Sequence, residues 1–139
     1  MSNPKATEQR ILFANDAFYS AFTSGDVAAM SNAWVQSQPI VCLHPGARPI
    51  FDREEMMESW SDILSDPGVA ELSFHSPEVV FADNTALVIG YECFGDSALL
   101  ASNGFVLEDD NWRMFSHHAG TCHDAPPAPT ADQQVNALH

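Results

Sequence analysis

The chain has 139 residues, 45% of them hydrophobic, with 19 acidic against 5 basic side chains and a formal net charge of −14 at pH 7. That length fits one domain with a real core, and no apolar run approaches the roughly 20 residues that cross a bilayer. The negative field repels phosphate backbones and anionic lipid, which argues against nucleic-acid and membrane partners.

Met1-Ser-Asn-Pro-Lys5 has no basic start followed by an apolar core, so the expected compartment is cytoplasmic. The three cysteines, Cys42, Cys93 and Cys122, are odd in number and lack CxxC spacing. They read as free thiols in a reducing compartment.

In chain order, Ile11, Ala14, Phe18 and Phe22 recur at helical spacing and predict a helix over 6–24. Gly25 stops it, and Asp26 caps a second helix from Val27 to about Val35. A short strand over 39–44 follows and ends at His44-Pro45-Gly46. Asp52 caps a third helix, with Glu55 completing a capping box and Met56, Trp60, Ile63 and Leu64 forming its apolar stripe.

Strands dominate from there. One runs from Val69 to Phe81, with a bend at Ser76-Pro77. Others cover 85–94, 99–107 and 112–122, joined by Asp83-Asn84, Gly95-Asp96 and the Glu108–Asn111 turn. Period-2 geometry puts Trp112, Met114, Ser116 and His118 on one face of the last strand, and His117 on the other. A bulge would exchange the two histidines, because a one-residue slip inverts facing. Residues 1–125 form the domain, and 126–139 are a Pro-rich tail expected to lie against a second subunit. Segregated helices and strands mean an α+β fold in which a curved mixed or antiparallel sheet wraps three N-terminal helices.

Four stretches in this order carry a resemblance. They are Ala21-Phe-Thr-Ser-Gly-Asp26, Leu43-His-Pro-Gly46, Phe51-Asp-Arg-Glu54 before the Trp60 helix, and Trp112-Arg-Met-Phe-Ser-His-His118. Over about residues 6–123 the chain resembles the nuclear transport factor 2-like superfamily, and within it the SnoaL-like group of polyketide cyclases and ketosteroid isomerase. The resemblance implies a cone-shaped α+β barrel, a deep apolar pocket and a homodimer. It also implies that His44 stands in the isomerase's general-base slot, where the isomerase has an Asp before Pro. Asn103 falls in the slot of one oxyanion donor, and Phe18 in the slot of the tyrosine that is the other.

These positions define the candidate site. His44 is a proton carrier, since an imidazole titrates near neutrality. Asn103 is an oxyanion donor through its amide. Phe18, Trp34, Trp60, Tyr91, Phe105, Trp112, Ser116 and His118 are candidate pocket-lining residues. No HxH, HxxxH or HExxH spacing appears among the histidines, so no metal and no cofactor is expected. Two functions stay open: a cofactor-independent isomerase or cyclase acting next to a carbonyl of a small apolar or polyketide-like molecule, and a non-catalytic ligand-binding or dimerisation module.

Overall fold

Asn3 opens the first helix by accepting a hydrogen bond from Lys5 N at 2.9 Å, ahead of Pro4 at the first helical position. The structure, a computed structural model, describes residues 3–124 and Pro126. Helix α1 (Pro4–Ser24) buries Ile11, Asn15, Phe18, Tyr19 and Phe22 along one face. It stops at Gly25, whose φ of 67° is the left-handed conformation that a side chain would strain. Asp26 turns the chain at once into α2 (Val27–Ala33), accepting from Ala29 N at 3.0 Å. Asp52 does the same for α3 (Arg53–Leu64), accepting from Glu55 N at 2.9 Å.

Strand β1 (Val41–Leu43) is shorter than the sequence pattern suggests. The long strand expected from Val69 begins later. Pro67–Glu71 forms a 3-10 turn, with Asp66 accepting from Gly68 N at 2.8 Å, and β2 covers Ser73–Ala82. The local Asx cap and Pro67 hold those residues out of the sheet. The bend at Ser76-Pro77 is a break in pairing between His75 and Glu78, with Ser76 at φ 57°. Strands β3 (Thr85–Phe94), β4 (Ser97–Glu108) and β5 (Asn111–Thr121) complete the sheet.

The strand order is β1-β5-β4-β3-β2, with β1 parallel to β5 and the other pairs antiparallel. This is an α+β cone: three helices lie on the inner face of a curved mixed sheet that stays open, with β1 and β2 at its edges. Phe18, Met30, Trp34, Met56, Trp60, Phe105 and Met114 fill the space between the layers and are buried. Each such side chain contributes about 1.5–3 kcal/mol by leaving water. The inner face also carries polar residues, and they mark the site.

Candidate functional site

One register break decides which histidine enters the cone. Gly104 pairs with Ser116 but Phe105 pairs with Met114, so Phe115 is an extra residue on β5. Trp112 and Met114 face inward before this bulge, and His117 and Ala119 face inward after it. His118 and Ser116 therefore point to the outer face, which corrects the simple alternation that placed both in the pocket. Tyr91 is also outward, between inward Gly90 and Glu92. Trp112 packs at the margin of the core, beside an external groove. Phe18, Trp34, Trp60 and Phe105 are inward and fully buried.

Behind these aromatics lies a polar cluster drawn from four elements. Asn15 and Tyr19 come from α1, Glu92 from β3, Asn103 from β4 and His117 from β5, and all are buried. The hydrogen bonds run in one direction. His117 Nδ1 donates to Asn103 Oδ1 at 2.6 Å. Asn103 Nδ2 donates to Asn15 Oδ1 at 2.9 Å and to Tyr19 Oη at 3.0 Å. Tyr19 donates to Glu92 Oε2 at 2.7 Å. Both Asn103 N–H groups are thus used within the protein, and none is left for a substrate oxygen. That corrects the expectation that Asn103 is an oxyanion donor: in this arrangement it is the hub that positions its neighbours.

The cluster's electrostatics favour neutral groups. Burial first, and then the nearby His44 and His118 charges, push His117 down to about 3. Burial raises Glu92, against a smaller opposing effect of the Tyr19 hydrogen bond. His117 Nε2 and Glu92 Oε2 are 3.8 Å apart, within ion-pair range. Since burial holds the His117 imidazole neutral at pH 7 and pushes Glu92 toward its protonated form, the contact is not an ion pair. Tyr19 is raised by burial and by the Glu92 charge, so it stays a phenol.

His44 stands outside this cluster, across Trp60. The Trp60 ring lies 4.9 Å from the His44 ring and 5.7 Å from that of His117. His44 Nε2 is 2.9 Å from Ser59 Oγ, and Ser59 Oγ donates to Met56 O at 2.6 Å. A hydroxyl has one proton, so Ser59 accepts from His44 and the imidazole proton sits on Nε2. Nδ1 keeps its lone pair and has no hydrogen-bond partner among the described residues. Burial lowers the His44 pKa, so the ring is neutral at pH 7. Cys42, 3.6 Å from His44 Nε2, is a buried thiol pushed up to about 12 and is no nucleophile.

The indole N–H groups of Trp34, Trp60 and Trp112 are buried without partners among the described residues. Because all three share this state, it singles out none of them. No group of three or more His, Cys, Asp or Glu side chains among the described residues is arranged to hold a metal ion. No described helix is long and apolar enough to cross a membrane.

Strand alternation says nothing of Asn15 and Tyr19, which lie on α1, and it leaves Glu92 unmarked; His117 enters through the bulge that exchanges the two histidines. Two signals could have found them. Asn15 interrupts the apolar helical face that Ile11, Phe18 and Phe22 define, one turn before Tyr19. Glu92 ends an inward row of small and apolar residues, Ala86, Val88 and Gly90.

Helices packed in an open curved sheet, with a polar cluster at the base of an aromatic core, define a cone of the nuclear transport factor 2-like class. The chain belongs to the SnoaL-like domain family, whose profile matches residues 11–121. Among solved structures it is similar to a candidate dehydratase of the nuclear transport factor 2-like family from Streptomyces avermitilis, with TM-score 0.76, 23% identity, and 88% of this chain and 100% of that chain covered. It also resembles a candidate ketosteroid isomerase from Shewanella frigidimarina, with TM-score 0.65, 12% identity, and 79% and 94% covered. The F-box protein SKIP8 of Arabidopsis thaliana is 22% identical over 116 residues, which cover 82% of this chain and 50% of that protein. The chain thus spans about half the length of the curated relative it matches.

Proposed function

We propose that this chain binds a small apolar or polyketide-like molecule at the His44 end of its cone, and that His44 moves a proton at a carbon next to a carbonyl. The observation that carries the reading is the state of His44. Ser59 holds its proton on Nε2 at 2.9 Å, which leaves Nδ1 as a base. Its lowered pKa keeps that base unprotonated at pH 7. Half-burial against Trp60 gives it an apolar wall and a route to solvent. The resemblance to candidate dehydratase and isomerase structures supports the same class of chemistry. Asn103 contributes by fixing His117 and Tyr19 behind the aromatic wall, and no cofactor enters the step.

The test is α-proton exchange into deuterated water on a panel of enolisable ketones, measured beside binding of the same compounds. His44→Gln is expected to slow exchange by about 100-fold or more while binding changes little. Exchange that survives the substitution unchanged overturns the assignment of His44.

A second reading, a non-catalytic binding or dimerisation module, is favoured by a different observation. Phe18, Trp60 and Phe105 fill the cone, and the outer sheet face carries the exposed apolar residues Val80, Leu87 and Leu100. A wild-type chain that binds the ketones without exchanging them supports this reading and rules out the first.

A further inference from the structure

A second concavity lies outside the cone. It has a volume of about 530 Å³ and runs between the first half of α1, the end of α2 and the β4–β5 hairpin. Helical spacing creates one wall. Arg10, Phe13, Ala14 and Ala17 line it, on the side of α1 turned away from the buried Asn15 and Phe22. Trp112 and Arg113, at the start of β5, form the opposite wall. The alanines leave room where longer side chains would close the space. Phe13 is 76% exposed at the rim, an unusual position for a phenylalanine, and no apolar side chain among the described residues covers it.

The charge here runs against the rest of the molecule. The chain has 5 basic side chains and a net charge of −14, yet two of its arginines line this one groove. No acidic side chain is among the described residues that line it. Each arginine is held by a backbone carbonyl. Arg10 Nη2 donates to Asp110 O at 2.6 Å, and Arg113 Nη1 donates to Asn32 O. A guanidinium has five N–H donors, so each keeps donors beyond that anchor. Arg113 Nε also lies 3.8 Å from Glu108, which offsets part of its charge. Arg10 makes no ion pair among the described residues and is the stronger anion anchor.

We propose that this groove binds a small apolar molecule bearing a carboxylate, with the apolar body on Phe13, Ala14, Ala17 and Trp112 and the carboxylate on Arg10, assisted by Arg113. The volume is in the range of small-molecule sites, which run from about 300 to 1,000 Å³. A planar guanidinium matches a carboxylate in geometry as well as charge. An amine of the same shape meets two cations there, and an alcohol leaves the arginines to water.

The experiment titrates the full chain with octanoate, octanol and octylamine, followed by tryptophan fluorescence and by amide chemical shifts around Arg10 and Arg113. Octanoate is expected to bind saturably, with octanol about tenfold weaker and octylamine weaker still. Arg10→Gln should lower octanoate affinity about tenfold and leave octanol affinity unchanged. Ala17→Phe fills the groove without touching either arginine, and should abolish binding of both octanoate and octanol. Equal affinity for octanoate and octanol, or wild-type octanoate affinity in either variant, overturns the proposal. Neither variant touches His44 or the inner cluster, so failure here leaves the proton-transfer reading standing.

Discussion

Glu92 is the side chain whose presence is hardest to justify by stability. It is 3% exposed, its burial favours the protonated form, and its one strong partner is the Tyr19 hydroxyl. A raised folded pKa means that its contribution to stability is present at low pH and is lost as pH rises past the unfolded value near 4.5. Glu92→Gln keeps an acceptor for Tyr19 and removes the titration. The variant is therefore expected to match wild type near pH 4.5 and to be more stable at pH 8, by about 1–2 kcal/mol. Thermal melts across that range check it. A variant less stable than wild type at pH 8 would mean that Glu92 and a charged His117 form a true ion pair. The sequence singles out His44 and Asn103 by their slots, but not the cluster that uses up the Asn103 donors. The deciding event was Phe115, one extra residue on β5. Its trace in the sequence is Gly104 on the partner strand, where an added Cβ would meet the Phe115 ring at 3.0 Å.

The local elements were largely legible because their signals are local. Asp26 and Asp52 cap helices, Gly25 ends one, and Ser76-Pro77 breaks β2, whereas the Asn3 cap, which starts α1 two residues before the expected position 6, was not read. The parallel β1–β5 pairing was not legible, since it joins Val41 to Ser116 and no local pattern encodes it. The expected packing of the Pro-rich tail lies outside the described residues, apart from Pro126. One strand residue shows how closely β2 and β3 are fitted to α1. The Phe74 ring stacks on Tyr19 with centroids 4.4 Å apart, and an added Cβ at Gly90 would meet that ring at 2.3 Å and His75 O at 2.9 Å. Gly90→Ala must therefore push Phe74 off Tyr19 or strain the β2 backbone. It is expected to destabilise the fold by about 1–3 kcal/mol, read as a lower denaturant midpoint at unchanged slope. A midpoint equal to wild type would show that Phe74 has free space to retreat into.

At the scale of the whole molecule, the outer face of the sheet carries apolar side chains that the described residues leave exposed. Pairing places Val80 opposite Leu87 and Leu100 opposite Tyr91, so these side chains and Ile89 make one apolar patch across β2, β3 and β4. Val80 is 64% exposed, and Leu87 and Leu100 are 40% exposed each. Beside them Ile89, Leu100, Ser102 and His118 surround a shallow hollow of about 170 Å³. A sheet face with such a patch is solvated at a cost that a second copy removes, and a two-fold contact buries it from both sides. The homodimer we propose uses this face, which leaves His44 and the α1–α2 groove clear of the contact. The expected solution mass is twice 15.2 kDa. Leu100→Glu puts a like charge at each matching position of the two-fold contact and should yield monomers of 15.2 kDa with circular dichroism unchanged. Light scattering decides it. A wild-type mass of one chain rejects the dimer outright. A dimer that survives Leu100→Glu together with Leu87→Glu moves the contact to another surface and rejects the sheet face as the interface.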